Sequence, residues 1–410
     1  MRSWPHPYLP PTLSSINHPQ LRVRDSYTEK FHTLPSQQVS LYVCGITPYD
    51  ATHLGHAATY LTFDLINRYL SASKCAVRFA ENITDIDDPL FERAKRDGLN
   101  WQMLAQSQIE LFISDMTELR VIPPDSYQGV IESMAQIISA VERMVNSGLT
   151  YAINGDHYLD LGLVEGALDN LPLSTDEAIT TFAARGGDPE RSGKRHPLDP
   201  LLWKGKVAGE PSWAASCGEG RPGWHIECVA IALAALPDCG DSSISIQGGG
   251  ADLRFPHHYM TSVQSQALTG KPFASTYLHC GMIGLDGEKM SKSKGNLRFV
   301  SGLISEGRSP MAIRAALINR HYRSDLMWTD AILEDCEDFI ARTTINLSRT
   351  EVAPTREVVQ KIVSALADDL DTPTAFAAIE EWNGKTEAGA TGGEAGELSR
   401  ALDLYLGLAF

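Results

Sequence analysis

The chain lacks a long apolar run, and it lacks the cysteine spacings that are typical of disulfide frameworks and zinc knuckles. Its longest apolar candidate, residues 229–236, has the length of a buried helix and is too short for a membrane span. Prolines follow Arg2 where a signal peptide would have its apolar core. Five of the seven cysteines are expected to be reduced thiols or small buried residues: Cys75, Cys217, Cys239, Cys280 and Cys336. These absences predict a cytoplasmic protein that does not bind membranes.

Positive charge is also in short supply. The sequence holds 35 Lys and Arg residues against 51 Asp and Glu residues, which gives a formal net charge of −16. This balance argues against a broad surface for a polyanion such as a nucleic acid, although it is compatible with a local basic patch. With 43% hydrophobic and 21% charged residues, the chain otherwise has the composition of a globular protein. Its 410 residues are enough for two or three domains.

Hydrophobic periodicity in the first part of the chain predicts an α/β fold. Residues 39–43 alternate like a strand, a helix with one apolar face is predicted from near His53, and residues 76–80 have the pattern of a second strand. A strand, a helix and a strand within about forty residues indicate a βαβ unit of a parallel sheet.

The remaining residues predict a second half of this sheet and a helical end. The predicted segments are a helical stretch (100–148), a mixed insertion (about 151–216), a helix after Pro222, two strands (244–246 and 276–282) and two helical stretches (309–347 and 355–383). We therefore expect an N-terminal arm over residues 1–38, a Rossmann-like domain over 39–308 and a helical C-terminal domain over 309–410.

Three dispersed residues have the chemistry of a metal site. Cys44, Cys228 and His257 would offer two sulfur ligands and one imidazole, a donor set that suits zinc. Three protein ligands leave a fourth tetrahedral position open, and a substrate that carries a thiol would fill it best. Taken alone, each cysteine would more often be a buried apolar residue, and only its surrounding motif favours the metal site. The adjacent His225 and His258 are expected to support such a site rather than to bind the metal.

His53 and His56 lie three residues apart at the predicted start of a helix, so their imidazoles share one face. A helix N-terminus offers free N–H groups and a positive dipole to an anion, and Gly55 allows a flat ligand to approach the backbone. The pair could thus donate hydrogen bonds to nucleotide phosphates. The alternative is two ordinary surface histidines.

A second basic signature follows in the segment Lys289-Met290-Ser291-Lys292-Ser293. Lys289 and Lys292 on a glycine-flanked loop could close over a triphosphate and neutralise it while pyrophosphate leaves. The alternative is a solvated basic loop. The order of the two signatures within an α/β pattern nevertheless favours a shared phosphate site.

These two signatures resemble those of class I aminoacyl-tRNA synthetases, and within that class the chain is similar to cysteinyl-tRNA synthetases. The resemblance covers roughly residues 40–330. The stretches that match cysteinyl-tRNA synthetases are Tyr42–Gly45, Asn82–Asp88, Pro222–Cys228 and Gly248–His258. It implies a Rossmann-like catalytic domain that activates an amino acid with ATP, with His53, His56, Lys289 and Lys292 as the catalytic residues. It also implies zinc at Cys44, Cys228 and His257.

Three departures set the chain apart from cysteinyl-tRNA synthetases. Thr261 stands where that family has a fourth zinc ligand, a glutamate, and Gln247 stands where it has a histidine before the triple glycine. Only 80 residues follow Asp330, too few for an anticodon-reading domain. In these features, and in the stretch Pro48–Thr52, the chain instead resembles the mycothiol-pathway cysteine ligases. Those enzymes have a Glu-Arg-Gly-Gly-Asp-Pro segment, in which this chain has Ala184 in place of the glutamate.

The resemblance implies that a cysteinyl-adenylate binds across the sheet. The residues expected to contact it are Cys44, Gly45, Ile46, Thr47, Thr59, Asn82, Ile83, Thr84, Trp224, Gly250, Ala251, Asp252 and Ile283. Among them, Trp224 would form a wall of the cysteine pocket, although a core role is an equal alternative. Asp252 would bind the ribose hydroxyls, and Ile283 would pack near the adenine.

The implied reaction joins cysteine to the amine of glucosaminyl-inositol, with ATP and Mg²⁺ as the energy source. We expect a cytoplasmic monomer that uses small-molecule substrates and does not use tRNA. Two alternatives remain: a truncated cysteinyl-tRNA synthetase, and a non-catalytic protein that binds cysteine or a nucleotide. Thr261 and Gln247 weigh against the first alternative, and the intact His53 and His56 weigh against the second.

Overall fold

The computed structural model describes residues 1–13, 16–50, 52–285 and 297–410, together with the backbone of Glu288 and Lys289. Its strands are β1 (Arg22–Arg24), β2 (Phe31–Thr33), β3 (Gln38–Val43), β4 (Ala76–Ile83), β5 (Ser126–Gly129), β6 (Thr150–Ile153), β7 (Asp156–Leu159), β8 (Leu201–Gly205), β9 (Trp213–Ala215), β10 (Gly218–Pro222), β11 (Ile244–Gly250), β12 (Ala274–Cys280), β13 (Ile283–Leu285), β14 (Glu288–Lys289) and β15 (Leu326–Trp328). Its α-helices are α1 (Leu54–Ala72), α2 (Asp88–Asp97), α3 (Trp101–Glu118), α4 (Met134–Asn146), α5 (Thr175–Ala184), α6 (Trp224–Ala235), α7 (Tyr259–Thr269), α8 (Val300–Ser305), α9 (Pro310–Ile318), α10 (Asp330–Leu347), α11 (Arg356–Ala367), α12 (Thr372–Glu387) and α13 (Ala395–Ala401). Short turns of 3-10 or π-helix cover Leu161–Leu163, Ala251–Leu253, Arg254–His258 and Leu402–Leu406.

A parallel sheet forms the centre of the fold, with the spatial order β12-β11-β3-β4-β5. From β3 the chain continues outward on one side through β4 and β5, and it later returns to the other side through β11 and β12. In open α/β sheets, ligands bind at the carboxyl ends of the strands where the strand order reverses. Here that position lies between β3 and β11. The predicted Rossmann-like α/β fold is therefore confirmed.

Helix α1 connects β3 to β4 and is buried along most of its length. Inside its buried face, Asp64 accepts a hydrogen bond at 2.6 Å from Arg68 and is also paired with Arg314 of α9. Arg314 in turn donates to the carbonyl of Leu406 at 2.6 Å, so the C-terminal turn is tied to the same ion pair. All three charged side chains are fully buried, and such a pair holds its partners firmly because breaking it leaves an uncompensated charge. The predicted C-terminal helices thus pack on α1 and fix its position.

The sequence-based prediction of a wholly helical stretch over 100–148 is wrong at residues 126–129. These residues form β5, the edge strand of the parallel sheet, which pairs with β4. The strand is four residues long and only Tyr127 supplies a large apolar side chain, so it has no alternating pattern to detect. The short strand β15 is likewise absent from the prediction, because it lies inside the stretch predicted as helix over 309–347.

The triple glycine was expected to follow a strand over 244–246, but residues Gly248–Gly250 belong to β11 itself. A Cβ atom on Gly248 would lie 2.2 Å from the Phe63 ring of α1. Glycine is therefore required for the helix to pack directly on this strand. The insertion predicted over about 151–216 contains a second sheet, antiparallel, with the order β6-β7-β8-β10-β9, and the helix α5.

The N-terminal residues, expected to form an extended arm, include the antiparallel pair β1-β2. Trp4 and Leu21 from this segment are buried in the main hydrophobic core. Within the residues that the structure describes, no helix has both the length and the apolar character that crossing a membrane requires.

Candidate functional site

The structure brings Cys44, Cys228 and His257 together from three separate elements. Cys44 directly follows β3, Cys228 lies in α6, and His257 lies in the π-helical turn that leads into α7. Their ligand atoms all lie within 4.8 Å of one another, and all three side chains are buried. The backbone N–H of Cys44 donates to the carbonyl of Gly248 at 3.1 Å, so the end of β3 is tied to β11. Among the described residues this donor set of two sulfurs and one imidazole could hold a metal ion.

Neighbouring aromatic rings orient these ligands. The ring of His257 directs Nε2 at the Cys228 sulfur, 3.3 Å away, while its Nδ1 lies 2.9 Å from Nδ1 of His225. Trp224 stacks on His257 with ring centroids 4.0 Å apart. Burial holds the pKa of His225 well below its usual range, so His225 is neutral and its Nδ1 can accept a hydrogen bond from Nδ1–H of His257. That hydrogen bond leaves Nε2 of His257 as the ligand atom.

His258 supports the other cysteine. Its Nε2 lies 3.2 Å from the sulfur of Cys44, and its Nδ1 lies 2.8 Å from Nε2 of His279. Burial, and then the charge of His279, lower the pKa of His258 well below its usual range. The expectation that His225 and His258 support the cluster from its edges agrees with these contacts.

The two cysteines have pKa values that are shifted in opposite directions. A hydrogen bond from Cys44 holds the pKa of Cys228 well below its usual range, while burial raises the pKa of Cys44. Because the thiolate is the metal-binding form of cysteine, the lowered pKa of Cys228 favours the form that could bind a metal.

Gln247 and Thr261 occupy the space beside Cys44. The side-chain amide of Gln247 donates to the hydroxyl of Thr261 at 2.9 Å, and both residues are fully buried. A hydrogen bond from Gln247 also works to lower the pKa of Cys44, against the larger effect of burial. Position 261 is thus separated from a cysteine ligand by one glutamine side chain.

Asn82, at the end of β4, organises the floor of the site. Its Oδ1 accepts hydrogen bonds from the Tyr42 hydroxyl at 2.9 Å and from the N–H of Gly45 at 3.0 Å. Its Nδ2 donates to the hydroxyl of Thr84 at 3.2 Å, and the N–H of Thr84 donates to the carbonyl of Ile46 at 3.0 Å.

Gly45 is required at this position. A Cβ atom there would lie 1.5 Å from the carbonyl oxygen of Asn82. The predicted group Cys44–Thr47 and Asn82–Thr84 therefore forms one hydrogen-bonded unit. Within it Ile83 is a buried residue of β4, and the carbonyl of Thr47 accepts the N–H of Tyr49 at 2.8 Å.

His53 caps α1, which corrects the expectation that the N–H groups there are free for an anion. Its Nδ1 accepts hydrogen bonds from the N–H groups of Gly55 at 3.1 Å and His56 at 3.4 Å. A neutral imidazole that accepts at Nδ1 carries its proton on Nε2, so His53 can donate from Nε2. The ring of His56 stacks on that of His53 with centroids 3.7 Å apart. Both imidazoles thus stand together at the positive end of the helix dipole.

The lysine signature lies largely outside the described residues. Lys292 is among the undescribed positions, and of Lys289 only the backbone is described, in β14. The chain that follows this signature returns to the start of α1: Phe299 forms a β-bridge with His53, and the N–H of Leu54 donates to the carbonyl of Arg298 at 3.0 Å. The flanking backbone therefore links the two signatures.

The residues predicted to contact adenosine lie at the end of β11. Gly250 ends this strand, and Ala251 and Asp252 form the 3-10 turn that follows. A Cβ atom on Gly250 would lie 2.7 Å from Oδ1 of Asp252 and 3.6 Å from the hydroxyl of Thr59. The carboxylate of Asp252 therefore lies beside the backbone of Gly250. Ile283 begins β13 and is buried, three residues after Cys280, which pairs with Gly250.

Sequence reasoning missed two contributors to this site. Tyr42 has the pattern of a buried strand residue, and only the structure places its hydroxyl on Asn82. Arg185, in the segment Ala184–Pro189, reaches Asp252 from the insertion, and its Nη1 donates to the backbone carbonyl of Asp252 at 2.8 Å. The arginine was part of a recognised segment, but no pattern in the sequence indicated which residue it contacts.

The chain matches a known protein family. Residues 30–338 match the family model described as the tRNA synthetases class I (C) catalytic domain. A relative from Streptomyces griseus, an L-cysteine:1D-myo-inositol 2-amino-2-deoxy-alpha-D-glucopyranoside ligase, is 48% identical over 414 residues, and the alignment covers 100% of both chains. The chain belongs to this family of ligases within the class I synthetases.

Two further relatives that carry the same enzyme name support the assignment. One, from Corynebacterium jeikeium, is 47% identical with 100% of both chains covered. The other, from Acidothermus cellulolyticus, is 48% identical and covers 93% of this chain and 94% of its own.

Two solved structures of aminoacyl-tRNA synthetases have the same fold as this chain. Methionyl-tRNA synthetase of Mycobacterium tuberculosis in complex with methionyl-adenylate has a TM-score of 0.62 at 14% identity, with 90% of this chain and 88% of that chain covered. A leucyl-tRNA synthetase of Agrobacterium radiobacter has a TM-score of 0.60 at 12% identity, covering 90% of this chain and 83% of its own. The chain therefore has the class I synthetase fold.

Proposed function

We propose that the protein joins L-cysteine to the amine of glucosaminyl-inositol, with ATP as the energy source and a cysteinyl-adenylate as the intermediate. The observation that carries this proposal is the position of the buried Cys44, Cys228 and His257 cluster at the same sheet edge as the His53–His56 pair. Cys44 directly follows β3 and His53 directly precedes α1, so the proposed thiol-binding and phosphate-binding residues follow the same end of one strand. The family membership of the chain, and the names of its full-length relatives, supply the acceptor.

Zinc fits the metal cluster, because two thiolates and one imidazole are ligands that this ion prefers. When bound, zinc would offer a position for the substrate thiolate and would select cysteine over serine, since a hydroxyl is a far poorer ligand. Trp224, stacked on His257, would wall this pocket. The backbone unit around Gly45 and Asn82 would hold the remaining atoms of the aminoacyl group.

The first step forms the adenylate. The cysteine carboxylate attacks the α-phosphate of ATP, a new C–O–P linkage forms, and pyrophosphate leaves with the electron pair of the broken P–O bond. Negative charge builds on the phosphates, and His53, His56, Lys289 and Lys292, together with Mg²⁺, would stabilise it. In the second step a neutral amine attacks the carbonyl of the mixed anhydride, an amide forms, and AMP leaves.

The acceptor is tested by AMP release. With ATP and cysteine present, we expect glucosaminyl-inositol to stimulate AMP release and tRNA to leave it unchanged at physiological salt. The net charge of −16 disfavours a polyanionic acceptor but is compatible with an uncharged sugar that carries one amine. Serine in place of cysteine is the matched control and should give no stimulation. Stimulation by tRNA alone would instead support a cysteinyl-tRNA synthetase.

A glutamate at position 261 should interfere with thiol binding. The side chain of Gln247 contacts both Thr261 and Cys44, so Thr261 lies close to the metal cluster. The substitution Thr261→Glu would therefore bring a carboxylate toward the open metal position. We expect this variant to keep its zinc and to raise the KM for cysteine by about 10-fold or more. Thr261→Gln, with similar bulk and no charge, is the control and should have a smaller effect. Equal KM values for the glutamate variant and the wild type would place position 261 away from the metal.

A further inference from the structure

The segment Ala184–Pro189 of the insertion is held in a single conformation by local contacts. Gly186 has a φ of +86°, a value in the left-handed region that a side chain disfavours. A Cβ atom on Gly187 would lie 2.3 Å from the Phe182 ring, so a second glycine is also needed. Asp188 then accepts hydrogen bonds from the Tyr158 hydroxyl at 2.5 Å and from Lys194 at 3.0 Å. These contacts hold the segment that follows Arg185 against the insertion.

Arg185 instead reaches the turn at the end of β11. Its Nη1 donates to the backbone carbonyl of Asp252 at 2.8 Å and lies 3.7 Å from the Oδ2 atom of the same residue. The other carboxylate oxygen of Asp252, Oδ1, lies beside Gly250, where a Cβ atom would be 2.7 Å from it. One arginine thus contacts both the main chain and the side chain of Asp252. Arg185 also lines a cavity of about 220 Å³ that it shares with Ala251 and Asp252.

Asp252 is one of several acidic side chains near Tyr49. Burial, and then the carboxylates of Asp87, Asp50 and Asp252, raise the pKa of Tyr49. Three carboxylates are therefore close enough to Tyr49 to raise the pKa of its hydroxyl. In such surroundings a guanidinium that contacts Asp252 fixes the orientation of its carboxylate.

We infer that Arg185 is a positioning residue for the nucleotide, which aims the Asp252 carboxylate at the ribose hydroxyls and so determines selectivity for the sugar of ATP. The inference rests on the proposed function and on the expectation, implied by the family resemblance, that Asp252 binds the ribose of ATP. The insertion would then take part in nucleotide binding through Asp252. The glycines of the segment shape the turn, Asp188 holds the turn in place, and Arg185 contacts Asp252.

The test compares ATP with 2′-deoxy-ATP and 3′-deoxy-ATP in cysteine-dependent adenylate formation. Wild-type protein should use at least one of the deoxynucleotides less well than ATP, because a carboxylate that binds a hydroxyl loses its partner. Arg185→Ala should raise the KM for ATP by about 10-fold, the worth of one charge-assisted hydrogen bond, and should bring the ATP-to-deoxy-ATP preference close to one. The KM for cysteine and the melting temperature should stay near their wild-type values. Arg185→Lys, which keeps the charge, should restore part of the preference.

Arg195→Ala is the matched control, since Arg195 lies in the same insertion but pairs with Asp160 at 2.7 Å. It should leave both the KM for ATP and the sugar preference unchanged. An Arg185→Ala variant that keeps the full wild-type preference would overturn the inference. If Asp252→Asn loses the preference while Arg185→Ala keeps it, the inference fails and the ribose role of Asp252 stands. If the wild type itself shows no preference, the ribose role of Asp252 fails, and the inference fails with it.

Discussion

Protein carrying Cys228→Ala is expected to lose the bound zinc, about one ion per chain, that the wild type should retain through purification. The physical reason is the geometry of the cluster. The sulfur of Cys228 lies 3.3 Å from Nε2 of His257, and the hydrogen bond from Cys44 lowers the pKa of Cys228, which favours the thiolate form that binds metals. Without this sulfur, Cys44 and His257 would be the only two cluster ligands left, too few for a stable zinc site. Cysteine-dependent adenylate formation should fall to background.

The measurement is the zinc content of purified protein by elemental analysis, together with cysteine binding. Cys336→Ala is the matched control: Cys336 is also buried, with 5% exposure against 1% for Cys228, but it lies in α10. A general effect of removing a buried sulfur would appear in both variants, whereas loss of a ligand would appear in Cys228→Ala alone. Wild-type protein that contains no zinc after careful purification would contradict the account of the metal centre.

His56→Ala and Lys289→Ala are each expected to slow adenylate formation by about 10²-fold or more, with a smaller effect on cysteine binding. His56 stacks on His53 at the start of α1, where both rings stand at the positive end of the helix dipole. Charge grows on the phosphates only as pyrophosphate departs, so groups that stabilise this charge affect the rate more than they affect binding. The effect of Lys289 is expected from the sequence signature.

Cysteine-dependent exchange of labelled pyrophosphate into ATP measures this step. His157→Ala is a suitable control, because His157 lies in β7 of the insertion with its Nε2 3.1 Å from the carbonyl of Cys217. It should exchange pyrophosphate at the wild-type rate. Near-normal exchange in both His56→Ala and Lys289→Ala would refute the phosphate role of the two signatures.

The parts of the fold that the sequence predicts well are those with a strong period or a distinctive motif. The βαβ unit around α1 has an alternating strand pattern and a helix with one apolar face, and the metal cluster could be recognised because Cys44, Cys228 and His257 each lie within a characteristic stretch. Each of these three lies next to a strand end or a helix start, so the parallel sheet brings them to one edge. That clustering follows from the α/β topology.

The contacts that sequence reasoning missed join residues that are distant in the chain and have no period in common. Arg185 and Asp252 are 67 positions apart, and their contact depends on how the insertion folds back on the parallel sheet. The cap formed by His53 was missed for a different reason. Histidine is not among the preferred N-cap residues, and only the position of its Nδ1 over Gly55 and His56 reveals the hydrogen bonds.

The ligation itself is tested most directly by following isotope-labelled cysteine into product. Purified protein would be incubated with ATP, Mg²⁺, labelled cysteine and an equimolar mixture of glucosaminyl-inositol and tRNA, and the products would be separated and identified by mass. The account predicts a labelled amide of the aminosugar, with one AMP and one pyrophosphate released for each amide formed, and no label on tRNA. Label on tRNA with no amide on the aminosugar would contradict it.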